Sequence, residues 1–116
     1  MSTQYEIHDR IFRFVTRGLK VVRFLPKAIE FKIVLDQYVR ALTSVGANDN
    51  EADGVTSKKD FIHAYTIVRK ELKETRYWLR IIAELSSELK PRLQGLLQES
   101  DELIKIVSSI IVNASK

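Results

Sequence analysis

The chain has 116 residues, 45% of them hydrophobic, and a net charge of +4 from 19 Lys and Arg against 15 Asp and Glu, which fits one modest globular domain over 1–116 and excludes a disordered polyelectrolyte. The lack of any Cys removes disulfides, thiol nucleophiles and thiolate metal sites, and no apolar run approaches the ~20 residues of a membrane span. The opening Met1-Ser2-Thr3-Gln4-Tyr5-Glu6 has neither the basic start nor the apolar block of a signal peptide, so a cytoplasmic location is expected.

Gly and Pro are rare and apolar residues recur at helical spacing, which predicts an all-α chain. Helix 1 is predicted over Glu6–Phe24, with Ile7, Ile11, Phe14, Val15, Val22 and Leu25 on one face. Pro26 stops it, because the residue before a proline is pushed out of helical geometry. Helix 2 is predicted from Lys27 to Gly46 or a few residues beyond, with a stripe of Ala28, Phe31, Leu35, Tyr38, Leu42 and Val45. The polar run Gly46–Gly54 reads as a turn.

Ser57, with Asp60 three residues on, marks a capped helix start. Helix 3 is predicted over Lys58–Glu84, with Phe61, Ala64, Val68, Leu72, Thr75, Leu79 and Ile82 facing the core. Ser86–Lys90 forms a second loop, and Pro91 suits a first helical turn. Helix 4 is predicted over Pro91–Asn113, burying Leu93, Leu96, Leu97, Leu103, Ile104, Val107 and Ile111. Four amphipathic helices joined by short connections predict an antiparallel up-down four-helix bundle.

Some apolar residues lie off the core stripes: Ile67, Trp78 and Ile81 on helix 3, and Ile29 and Ile33 on helix 2. Either they pack at the edges of the same core or they form a surface for self-association. We read Ile29, Ile33, Trp78 and Ile81 as the interface of a homo-oligomer.

The charge is unevenly spread. On helix 1, Arg10, Arg13, Arg17 and Lys20 fall opposite the apolar stripe, and on helix 3, Arg69, Lys73, Arg76 and Arg80 lie within ~60° of one another. Residues 84–116 hold four basic and five acidic side chains. A charged helical stripe is commonly just a solvated face. Here the shortage of interspersed acids, which i,i+4 pairing would supply, points to a surface that follows phosphates.

Glu71 falls inside the apolar arc of helix 3, and Glu74 sits by Trp78. A buried carboxylate needs a partner or a raised pKa. Two carboxylates three residues apart are compatible with a metal or acid–base pair, but no His follows at ligand spacing. The reading preferred is a structural network with Asn48 or a neighbouring Arg. Tyr77 and Trp78 have faces that can stack on bases, although aromatic residues on a long bundle helix usually serve core or interface. His8 and His63 read as surface residues. No Gly-rich phosphate loop, GxSxG or HExxH pattern is present, so the sequence makes no case for an enzyme, a cofactor or a metal.

Thr43-Ser-Val-Gly-Ala-Asn48, Glu51-Ala52, Ser57-Lys-Lys-Asp-Phe61 and Glu71-Leu-Lys-Glu74-Thr-Arg-Tyr77-Trp78-Leu79 resemble, in order and spacing, a family encoded by intervening sequences of bacterial 23S rRNA genes. Its pattern has a Thr-Ser-Ile-Gly-Ala-Asn element, a following Glu-Ala, a Ser-x-x-Asp-Phe helix start and a Glu-x-x-Glu-Thr-x-Tyr-Trp-Leu block. Departures at Asp49-Asn50 and Asp53-Gly54-Val55 predict a looser turn between helices 2 and 3. The resemblance implies a four-helix bundle assembled as a pentameric ring, with no catalytic activity. In it Asn48, Glu71, Glu74, Tyr77 and Trp78 are architectural. A related branch serves the reverse transcriptase of diversity-generating retroelements and binds nucleic acid. The expected function is therefore a non-enzymatic homo-oligomer that binds RNA or DNA, or else a scaffold for a protein such as a reverse transcriptase or an RNA-processing factor.

Overall fold

In the computed structural model, which describes residues 3–116 and side chains from Glu6 onward, four helices run α1 (Thr3–Lys20), α2 (Ile29–Gly54), α3 (Lys58–Leu85) and α4 (Lys90–Ala114). α1 packs on α2 and α4, and α3 packs on the same two, so the contacts run around a square. Paired contacts at two levels, His8–Asp49 with Gly18–Tyr38, Asp49–Tyr65 with Arg40–Glu74, and Arg10–Glu99 with Arg17–Gly95, show neighbouring helices running antiparallel. The bundle extends 46 × 22 × 19 Å, a length set by 28-residue α3 at ~1.5 Å per residue.

The first helix is shorter than its periodicity predicts. After Lys20 the chain tightens into a 3-10 turn, Val21–Phe24, and Leu25 is extended at φ −71°, ψ 133°. Two β-branched valines favour helix weakly, and Pro26 imposes the extended geometry on Leu25. Midway along the chain, Ser57 caps α3 as expected: its Oγ accepts the Asp60 N–H at 3.0 Å. Pro91 sits in the first turn of α4.

The expected turn over Gly46–Gly54 is not a turn. α2 continues unbroken to Gly54, and only Val55–Ser57 links it to α3. The stripe Tyr38, Leu42, Val45 simply repeats at Asp49 and Ala52, both buried. Asn and Asp are poor helix formers, but packing on α1 and α3 overrides that local preference. The looser connection inferred from Asp49-Asn50 is likewise absent.

The core is built from Ile7, Ile11 and Phe14 on α1, Tyr38, Leu42 and Val45 on α2, Val68, Leu72, Leu79 and Ile82 on α3, and Leu93, Leu103 and Val107 on α4. Val34 and Ala41 are buried where Leu35 is half-buried and Ala28 exposed, a rotation of the expected α2 stripe. Tyr65, unflagged by the sequence reading, is fully buried. α1 packs tightly on α2 at Gly18: the Tyr38 hydroxyl donates to the Gly18 carbonyl at 2.7 Å, and a Cβ there would meet Leu42 Cδ2 at 2.7 Å. Among the described residues no helix is long and apolar enough to cross a membrane.

Candidate nucleic-acid interface

α4 lies between the two helices that carry the basic stripes, and its acidic middle changes what those stripes present. Arg10 reaches across to Glu99, its Nε and Nη2 donating to the two carboxylate oxygens at 3.1 and 2.6 Å, with Glu102 at 3.8 Å. The bond to Glu99 holds the Arg10 guanidinium more firmly protonated than usual, against the opposing pull of burial. From the other flank, Arg76 Nη1 donates to Asp101 at 2.6 Å. Arg13 pairs with Asp9 one turn back at 3.1 Å. Three of the eight expected phosphate contacts are therefore already engaged with carboxylates.

Arg17, Lys20, Arg69, Lys73 and Arg80 make no ion pair among the described residues. Arg17 and Lys20 project from the end of α1, and the Arg17 guanidinium lies along α4 beside Gly95, where a Cβ would come within 3.3 Å of it. There the two cations meet Phe24 and Arg92 at a cleft of about 240 Å³ floored by Val21, Leu89 and Leu93. The sequence reading missed Phe24 and Arg92 as site residues, because they belong to different elements and α4 is near neutral as a whole.

Of the family-motif residues, Glu71, Glu74 and Trp78 are tied together through Arg40. Glu74 Oε2 accepts from both Arg40 Nη2 and, at 3.2 Å, Trp78 Nε1. Glu71 is buried, meeting Arg40 Nη1 at 3.5 Å through Oε2, while its Oε1 has no hydrogen-bond partner. Arg40 is thus the neighbouring arginine of the network. Asn48 is not part of it, since its Nδ2 donates back to the Ser44 carbonyl at 2.9 Å within α2.

Ile29 and Ile33 are exposed on α2, on the face that carries Arg40 seven residues further on. With half-buried Trp78 they border the α2–α3 seam. Ile81, also half-buried, lines a groove on α3 and α4 with Tyr77 and Leu97. Tyr77 is exposed and packs edge-on against Trp78. The four expected interface residues therefore divide between two seams.

One polar cluster escaped the sequence reading. Asp49 Oδ1 accepts from the Tyr65 hydroxyl at 2.8 Å and from His8 Nδ1 at 2.7 Å, joining α1, α2 and α3. An ionised Asp49 only accepts, so in that state the His8 tautomer that makes this bond is the one with its proton on Nδ1. His8 is only half-exposed, and with Ile11, Phe12, Val15 and Asp53 it lines a groove of about 490 Å³ between α1 and α2. Burial pushes the Asp49 carboxyl above the usual carboxylate range despite those two bonds. His63 is exposed. Among the described residues no group of three or more His, Asp or Glu is arranged to hold a metal.

Up-down connectivity, the Arg40–Glu71–Glu74–Trp78 network and the Ser57 cap define an antiparallel four-helix bundle protein. The chain belongs to the 23S rRNA-intervening sequence proteins, whose family model matches residues 3–109. A crystal structure of a protein of unknown function from the S23 ribosomal protein family of Bacteroides thetaiotaomicron has the same fold. It superposes with a TM-score of 0.83 at 30% identity, over 95% of this chain and 98% of the other. No curated protein matches the chain.

Proposed function

We propose that this protein is a non-enzymatic, cytoplasmic homo-oligomer that binds RNA or DNA through basic helix faces. The observation that carries this reading is the set of exposed or half-exposed cations left without a carboxylate: Arg17, Lys20, Arg69, Lys73 and Arg80. Such side chains neutralise phosphates and release condensed counterions, which gives affinity with little base preference. The family's link to 23S rRNA genes is consistent with a nucleic-acid partner. Assembly would strengthen such binding, because each added copy repeats the same charge; a ring of five and service to a reverse transcriptase are what the motif resemblance implies.

Self-association rests on exposed Ile29 and Ile33. Fluorescence anisotropy with labelled rRNA fragments and DNA, from low to high salt, tests binding. Affinity falls steeply and linearly on logarithmic axes if the reading holds; no binding at low salt overturns it. Light scattering tests assembly: a multiple of the 13.4 kDa chain mass is expected, and a monomer overturns it. The same exposed isoleucines also favour a second reading, a scaffold for another protein. In that case captured material is protein and survives nuclease treatment.

A further inference from the structure

We infer that the cleft between the end of α1 and the start of α4 binds single-stranded nucleic acid, with an unpaired base stacked on Phe24 and the adjoining phosphates held by Arg17, Lys20 and Arg92. The inference rests on the nucleic-acid reading above and specifies where and in what form the strand binds.

Phe24 is a large aromatic residue left 55% exposed, although a fully apolar floor of Val21, Leu89, Leu93 and Leu96 lies beside it. The local chain explains this. The 3-10 turn and the extended Leu25 before Pro26 hold Phe24 out from the bundle end, where a regular helix would have set it on a continuing face. Its ring is not loose: the Arg92 guanidinium carbon sits 5.2 Å from the ring centroid, a cation–π contact that fixes the ring's orientation. The ring also lines a second hollow with Pro26 and Glu88.

Charge then suits the cleft to phosphates. Arg17, Lys20 and Arg92 line it together with Phe24, and the three cations make no ion pair among the described residues. Among those residues no carboxylate lines the cleft itself; Glu88 lies in the adjoining hollow that Phe24 and Arg92 also line. Stacking of a base on an aromatic ring, flanked by Arg and Lys, is how sequence-tolerant single-strand sites are built. A duplex keeps its base faces covered and offers Phe24 nothing to stack on.

Anisotropy titrations with a single-stranded RNA oligonucleotide, the same strand in a duplex, and an abasic version decide the matter at low salt. Phe24→Ala should weaken single-strand binding about 5- to 150-fold and leave duplex binding unchanged. Phe24→Tyr should restore most of the affinity, and the abasic strand should bind wild type no better than the intact strand binds Phe24→Ala. Phe24→Leu, which keeps the apolar bulk without an aromatic face, should behave like Phe24→Ala and guards against an effect on folding. Equal binding of strand and duplex, unmoved by Phe24→Leu but weakened by Arg17→Glu with Lys20→Glu, would overturn the stacking site and leave nucleic-acid binding intact. No binding of any of the three probes would overturn both.

Discussion

His8 Nδ1 lies 2.7 Å from Asp49 Oδ1, and this bond pins α1 to a stretch of α2 whose residues favour a turn. With the Tyr65 hydroxyl on the same oxygen, the buried carboxylate has two donors. Asp49→Ala strands a fully buried phenol and an imidazole N–H, and should cost ~1–3 kcal/mol. Asp49→Asn keeps an acceptor and should cost clearly less. Urea unfolding of the two variants gives the comparison, and equal losses would remove the carboxylate from its linking role.

The same carboxyl carries a pH signature. Its pKa is raised in the folded state by burial, so the folded chain holds that proton more tightly than the unfolded chain, where Asp titrates near ~3.9. The stability it contributes is complete below the unfolded value and is lost as pH rises through the higher folded value. Asp49→Asn should flatten the stability profile across that acid interval. An unchanged profile would show that burial does not raise the Asp49 carboxyl in the folded chain.

The two helical glycines on the α1–α2 seam should respond in opposite directions. Gly18 has no room for a Cβ against Leu42 and Tyr38, so Gly18→Ala should destabilise by ~1–3 kcal/mol through overpacking. At Gly46 the nearest atom to an added Cβ is Val15 Cγ2 at 3.4 Å, and φ is negative. Gly46→Ala should therefore stabilise by up to ~1 kcal/mol on helix propensity. Thermal melts distinguish this from a turn at Gly46, where the same change would not stabilise.

Alkaline unfolding should be coupled to tyrosine ionisation. Burial raises the Tyr38 phenol, and burial together with Asp49 raises Tyr65. Unfolded tyrosine titrates near ~10, so folding is unaffected below that pH and progressively weakened above it. Phenolate absorbance from these two residues should appear only as helical circular dichroism is lost. Their titration in a still-helical protein would contradict the packing described.

Arg10 and Arg17, two turns apart on α1, should separate stability from binding. Arg10→Ala breaks the paired contact with Glu99 and should cost ~1 kcal/mol, whereas Arg17→Ala should stay within ~0.5 kcal/mol. In nucleic-acid titrations the order reverses, with Arg17→Ala reducing the salt dependence and Arg10→Ala leaving it unchanged. A matching loss from Arg10→Ala would mean that its bond to Glu99 opens on binding.

Local periodicity by itself determined the number and order of helices, the Ser57 cap, the stop before Pro26 and the burial of Glu71. These depend on residues within a few turns of one another, and the 3.6-residue repeat makes them legible. The extension of the Tyr38, Leu42, Val45 stripe to Asp49 and Ala52 was present in the same pattern, but polar propensity masked it. Tertiary structure alone decided that Asp49 is helical and buried, because His8 and Tyr65 come from 41 residues before it and 16 after it. It also decided that Glu99 and Asp101 neutralise Arg10 and Arg76, and that Arg92 of near-neutral α4 meets Phe24. Which charges stay free, and which glycine has space beside it, depends on distances between helices, and those are fixed only when the four stripes close on one core.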